Sequence, residues 1–172
     1  MEYQELIRVR ESIRSYDPER PVDRDVLVKI LEAGRLAPSA ANRQPWKFRL
    51  ISSQEMLKKV RPCYEKPWFQ DAPQILAVVG DEQEAWRRRS DQHCFIETDL
   101  AIAMDHLILA AANEGVGTCW ISNFKPELLR TALGLKDQEY VFAITPLGYP
   151  RSNFVQKEMK ERKLFEDVVE WH

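Results

Sequence analysis

Three short runs of residues carry side chains suited to holding an anion or a polar ring. The first is Arg10-Glu11-Ser12-Ile13-Arg14. Two guanidinium groups four residues apart, with a hydroxyl between them, make a receptor for a phosphate monoester, because arginine presents planar, bidentate donors. Placed at a helix C-terminus, the same residues also serve as ordinary complements to the helix dipole. The second run is Pro38-Ser39-Ala40-Ala41-Asn42-Arg43-Gln44-Pro45-Trp46. Its small residues allow close approach, while Ser39, Asn42 and Gln44 supply neutral donors and acceptors. That mixture suits a polar, planar heterocycle or a ribityl chain better than a metal; a solvated loop after a helix stop is the plain alternative. The third is Lys160-Glu161-Arg162-Lys163, either a solvated face or a set of cations sharing one anion with Arg10 and Arg14.

Other chemistry finds little support. Gly115-Val116-Gly117 is too short and wrongly placed for a dinucleotide fingerprint, which needs GxGxxG opening a helix after a strand. No Walker A pattern occurs. His93, Cys94 and Glu97 give poor geometry for a metal, and no metal site is expected. Cys63, Cys94 and Cys119 are odd in number and far apart, with no CxxC pair, which argues against a disulfide framework or a cysteine-ligated cluster. A net charge of -2 gives no reason to expect nucleic acid or an anionic membrane as partner. The first residues are charged, with no apolar stretch of signal-peptide length, and no apolar run approaches the roughly 20 residues of a membrane span. A cytoplasmic protein is expected.

The elements that must position these runs follow from periodicity and breakers. Apolar residues at Tyr3, Leu6 and Ile7 predict a helix from Tyr3 to Ser12. A second helix is predicted from an N-cap at Asp23 to about Leu36, stopped by Pro38. Alternation predicts a strand over Trp46 to Ser52, and Gln54 to Arg61 reads as a short helix. The continuous apolar run from Ile75 to Gly80 predicts a strand covered on both faces. Asp81 to Gln92, with Arg87-Arg88-Arg89, reads as an exposed helix or loop. The long helix from about Phe95 to Asn113 is apolar nearly all round, so it belongs in a core or a subunit interface; Gly115 and Gly117 end it. Thr118 to Ile121 reads as a strand, Pro126 to Leu133 as a helix stopped by Gly134, and Tyr140 to Leu147 as a strand. The remainder is expected to wrap over a surface. With one domain over residues 1–172, the expected class is α+β or α/β, a small sheet with helices on its faces.

These runs, in this order, resemble the nitroreductase family across nearly the whole chain. Arg10-Glu11-Ser12-Ile13-Arg14 is similar to that family's Arg-x-Ser-x-Arg/Lys signature. Ala37 to Trp46 resembles its "APS..N.QPW" loop, and Gly115 to Ile121 its "GxGTCWI" segment. Leu147-Gly148-Tyr149-Pro150 followed by Lys160-x-Arg162 resembles its C-terminal pattern. The resemblance implies an α+β, nitroreductase-like fold, with a small, mostly antiparallel central sheet flanked by helices, and a homodimer holding FMN at each subunit interface. By position, Arg10, Ser12 and Arg14 would hold the phosphate and ribityl chain with Lys160 and Arg162. Pro38, Ser39, Ala40, Asn42 and Gln44 would come from the partner onto the same flavin, and Ile121 and Ser122 would lie against the isoalloxazine ring. The implied activity is hydride transfer from NADH or NADPH through flavin N5 to a small electron-poor acceptor such as a nitroaromatic or quinone, with no catalytic side chain required. Other flavin chemistry on the same scaffold (dehydrogenation, dehalogenation, flavin breakdown), or flavin binding without efficient turnover, are the alternatives. Ser122 and Asn123 stand where the family often has glycine and a small residue. The stretch near Glu65 to Phe69 lacks the family's asparagine, so no flavin contact is carried onto it.

Overall fold

The computed structural model describes residues 1–157 and 160–172. The elements in chain order are α1 (Tyr3–Val9), α2 (Arg24–Arg35), β1 (Trp46–Ile51), α3 (Gln54–Val60), α4 (Pro67–Gln70), β2 (Gln74–Asp81), α5 (Ile96–Asn113), α6 (Pro126–Leu133) and β3 (Glu139–Leu147). Short 3-10 turns lie at Ala40–Asn42, Arg61–Cys63 and Phe165–Asp167. The sheet has the order β1-β2-β3, antiparallel throughout, with Phe48 opposite Val78 and Ala77 opposite Ile144. This is the expected α+β architecture.

β2 is central because both of its faces are apolar. Leu76 and Val78 point into a core built with α2 and α5, including Ile30, Leu100, Met104 and Leu107. Ile75, Ala77 and Val79 point the other way, against Leu57 and Val60 of α3 and Leu129 of α6. Successive side chains on a strand face opposite sides, so one continuous apolar run feeds two cores. A Cβ on Gly34 would lie 2.7 Å from Leu107 Cδ2, which shows how closely α2 approaches α5.

Several boundaries differ from the sequence reading, each for a local reason. α1 stops at Val9 rather than Ser12, because the chain turns extended to send Ile13 into the interior, where its N–H donates to the Thr118 carbonyl at 2.8 Å. Asp23 does occupy the N-cap of α2, but its side chain makes no capping hydrogen bond. Gly115 adopts φ +73 just beyond α5, as expected of a helix stop. Gly117 does different work: a Cβ there would meet Ile13 at 3.0 Å. Thr118 to Ile121 is extended but forms no regular strand. It is shared between two neighbours, Thr118 bridging in parallel to Ser12 and Ile121 antiparallel to Ile144, so neither side accumulates a ladder. Within Asp81 to Gln92, Asp81 closes β2 and the rest forms turns closed by a bridge between Arg87 and Cys94, with no helix. The short α4 has no periodicity to announce it, being only four residues long with Pro67 at its start.

Candidate functional site

Arg10, Ser12 and Arg14 share a face, though not a helical one. Arg10 caps α1 with extended dihedrals (φ -57, ψ 122), and Ser12 lies in its bridge to Thr118. In extended chain, residues two apart point the same way, which aims all three outward while Ile13 is buried. The fully buried Tyr16 pins the segment from below, its hydroxyl donating to the Ile13 carbonyl at 2.8 Å.

The C-terminal segment crosses back over this face. Gln156 Nε2 donates to the Val9 carbonyl at 2.7 Å, and the Lys157 N–H donates to Glu11 Oε1 at 3.1 Å. Lys160 Nζ donates to the Ile7 carbonyl at 2.8 Å. The result is a concavity of about 400 Å³ lined by Arg10, Ser12, Arg14, Lys157, Lys160 and Arg162, with Glu11 and Glu161 at its wall. Residues some 150 positions apart in sequence therefore converge on one cradle, and cations outnumber carboxylates in it. Burial, followed by repulsion from Arg10 and Arg162, lowers the Lys160 ammonium from its ordinary value. A cluster of like charges held together in this way is relieved by an anion.

Cys119 lies immediately behind the cradle. Burial raises its thiol, and the neighbouring Arg14 and Ser12 oppose that rise. Cys63 is pushed up to about 12 by burial. Neither thiol has the depressed pKa of a nucleophile.

The loop from Pro38 to Pro45 forms a separate part of the surface. Ala41, Asn42 and Gln44 all hold positive φ (50, 54 and 51), a conformation that non-glycine residues adopt only under local constraint. Internal bonds supply that constraint. The Gln44 N–H donates to Ser39 Oγ at 2.9 Å, and Gln44 Nε2 donates to both the carbonyl and Oδ1 of Asn42. The whole loop is tied to α5 by Asp99, whose Oδ1 accepts from the Ala40 N–H at 2.8 Å. Asp99 is 2% exposed, its Oδ2 has no partner among the described residues, and burial raises its carboxyl. None of the loop residues lines the Arg10 cradle of the same chain.

Ile121 and Ser122 behave differently from each other. The Ile121 side chain is buried in the core against α3 and α6, and its backbone N–H and carbonyl are both bonded to Ile144. Ser122 is exposed, its Oγ accepting from Trp120 Nε1 at 3.1 Å. Two residues with evident roles escaped the sequence reading. Lys157 belongs to the same basic tail as Lys160. Asp99 is an acid on the apolar side of a buried helix, flanked by Ile96, Leu100 and Ala103, and that incongruity was its signal.

Comparisons with known proteins agree with this fold. The Nitroreductase family model matches residues 7–64 and 56–149. An Archaeoglobus fulgidus protein bearing the provisional name NADH dehydrogenase/NAD(P)H nitroreductase is 33% identical over 150 residues, covering 85% of this chain and 84% of its own. A crystal structure of a nitroreductase family protein from Clostridium difficile 630 superposes with a TM-score of 0.91 at 28% identity, covering 99% and 98% of the two chains. An FMN-dependent nitroreductase from Clostridium difficile R20291 shares the fold, with a TM-score of 0.77 at 24% identity over 94% of each chain. The fold is thus that of a nitroreductase-type protein. The chain belongs to the Nitroreductase family. Among the described residues, no helix is long and apolar enough to cross a membrane.

Proposed function

We propose that the chain is an FMN-dependent NAD(P)H oxidoreductase acting as a homodimer on small, flat, electron-poor acceptors. One observation carries the reading: Arg10, Ser12 and Arg14 converge with Lys160 and Arg162 on a single cradle of surplus positive charge. Its donor set fits a phosphate monoester, since guanidinium groups bind phosphate oxygens bidentately and a hydroxyl adds a neutral donor. When bound, FMN supplies the capacity to take up a hydride and pass it on.

The protein's part is to bind, orient and exclude. Arg10, Arg14, Lys160 and Arg162 neutralise the phosphate, and Ser12 fixes its rotation. Ser122, exposed beside Trp120, offers a polar contact toward the ring, while the buried Ile121 side chain acts by holding Ser122 in place. The Ser39 to Gln44 loop lines no part of its own chain's cradle, which fits delivery of Pro38, Ser39, Ala40, Asn42 and Gln44 to a second subunit's cofactor.

Unpartnered apolar surface supports the dimer. α1 buries none of its residues, with Tyr3 63% exposed, and Leu36 at the end of α2 is 65% exposed. Phe165, Val168 and Trp171 of the C-terminal segment are also exposed. Apolar side chains in such numbers on several elements are a feature of interfaces.

The test is a visible spectrum of the purified protein, recorded before and after anaerobic addition of NADH or NADPH. A flavin spectrum that bleaches supports the oxidoreductase. A flavin that stays oxidised points to a binding role, and protein that neither carries nor takes up FMN overturns the proposal.

A further inference from the structure

The run Arg87-Arg88-Arg89 is not a uniform solvated face. Arg88 turns aside and is occupied by Asp91, at 2.9 Å from Nε and 2.5 Å from Nη2. Arg87 and Arg89 line an open cavity of about 730 Å³, where Arg43 joins them from the 38–45 loop. Among the described residues these three guanidinium groups form no ion pair. Among the described residues Glu82 is the single carboxylate in the cavity wall, so positive charge is in excess. Trp86 also lines the cavity, braced edge-on against Phe95 with centroids 5.2 Å apart.

The backbone makes this a built site. The Arg88 N–H donates to the His93 carbonyl at 2.9 Å, the Asp81 N–H to the Pro45 carbonyl at 3.0 Å, and the Glu82 N–H to the Gln138 carbonyl at 3.1 Å. The arginine-bearing turn is thereby fastened both to the end of the loop that carries Asn42 and Gln44 and to the approach to β3. A ligand seated here lies beside that loop and shares no lining residue with the Arg10 cradle.

We propose that this cavity takes the adenosine 2′-phosphate end of NADPH and makes NADPH the preferred hydride donor. The inference rests on the proposed function, which requires a reduced nicotinamide. The 2′-phosphate is the one group that separates NADPH from NADH, and a dianionic monoester is what three unpaired guanidinium groups recognise. Trp86 and the arginine planes offer stacking surfaces for the adenine ring, and the cavity exceeds what a free phosphate needs.

The test separates this site from the flavin chemistry. On FMN-loaded protein, calorimetry compares adenosine 2′,5′-bisphosphate with adenosine 5′-monophosphate. The bisphosphate is expected to bind about tenfold tighter or better, roughly the worth of one charge-assisted contact. In the Arg87→Gln, Arg89→Gln double variant that preference disappears while the flavin spectrum is unchanged. In steady state the same variant raises KM for NADPH by about tenfold and leaves kcat and the NADH parameters near wild type. Equal binding of the two nucleotides, or a preference that survives in the variant, overturns the assignment. Inorganic phosphate competing as well as the bisphosphate marks a free-anion site and also overturns it. A flavin that neither donor reduces refutes the proposed function instead, and the nucleotide comparison still decides the site.

Discussion

Gly117→Ala tests whether packing behind the cradle sets its affinity for FMN. The added methyl would lie 3.0 Å from Ile13 Cβ, 3.0 Å from Cγ2 and 3.1 Å from Cγ1. Carbon atoms in contact prefer about 3.5–4.0 Å, so something must move by roughly half an ångström. Ile13 cannot simply rotate away. It is β-branched and therefore stiff at χ1, it is 7% exposed, and its N–H is held by the Thr118 carbonyl. The strain falls on the backbone of residues 12–14, which carries Ser12 and Arg14. Overpacking of this kind costs about 1–3 kcal/mol of stability. Displacing two phosphate contacts should also weaken FMN by about tenfold, near 1.4 kcal/mol. Urea denaturation reads the first quantity and fluorescence titration with FMN the second. Gly134→Ala is the control: φ there is +61 with nothing within 4 Å of the new Cβ, so about 1–2 kcal/mol is lost to backbone strain alone. Equal stability losses with unchanged FMN affinity in both variants would refute the link between Ile13 packing and the cradle.

Three further outcomes are expected. Arg14→Ala combined with Arg162→Ala should raise the Kd for FMN by a factor on the order of 100 or more, two charge-assisted contacts at about 1.5–3 kcal/mol each; a double variant that keeps wild-type affinity removes the phosphate from this cradle. Asp99→Ala deprives the Ala40 N–H of its acceptor and should cost about 1–3 kcal/mol in urea denaturation, with faster amide hydrogen exchange confined to the Ser39 to Gln44 loop. Glu139 is held below the ordinary carboxylate range, first by Lys47 and then by the Lys136 N–H. Because its folded value is depressed, its stabilisation is present above the unfolded value of about 4.3 and is lost as pH falls through the lower folded one. Glu139→Gln should therefore cost about 1 kcal/mol at pH 7, limited by the exposure of Lys47. The gap from wild type should close on acidification, and a pH-independent gap would exclude the ion pair as its cause.

How far the sequence was legible depended on whether a feature was local. α2, α5, α6 and β2 announce themselves by period, by breakers and by an unbroken apolar run, and their bounds fall within a residue or two of expectation. α5 in particular reads as a buried helix, and it is one on its sheet-facing side. What escaped depended on partners distant in sequence. Nothing in residues 3–12 says where α1 ends, because its end is set by Ile13 docking on Gly117 and Thr118, about a hundred residues on. The segment 118–121 has strand composition, but its pairing is divided between Ser12 and Ile144, so propensity alone predicts a ladder that does not form.

The same logic explains the site. Arg10 and Arg14 were legible as a pair from their spacing, yet the geometry that joins them is extended rather than helical. A spacing of four satisfies both periods, so the pair reads correctly under either backbone while Ser12 does not: two residues away, it joins its neighbours only on an extended chain. Its inclusion in the cradle is thus a consequence of Ile13 being drawn inward. The basic tail was ambiguous for a different reason. Lys160 and Arg162 look like any solvated charge run until Gln156 and Lys160 bond to the carbonyls at the end of α1 and bring the tail over the cradle. The arginines of 87–89 repeat that lesson. Composition gives three identical residues, and only the turn that pairs Arg88 with Asp91 leaves the other two facing a cavity.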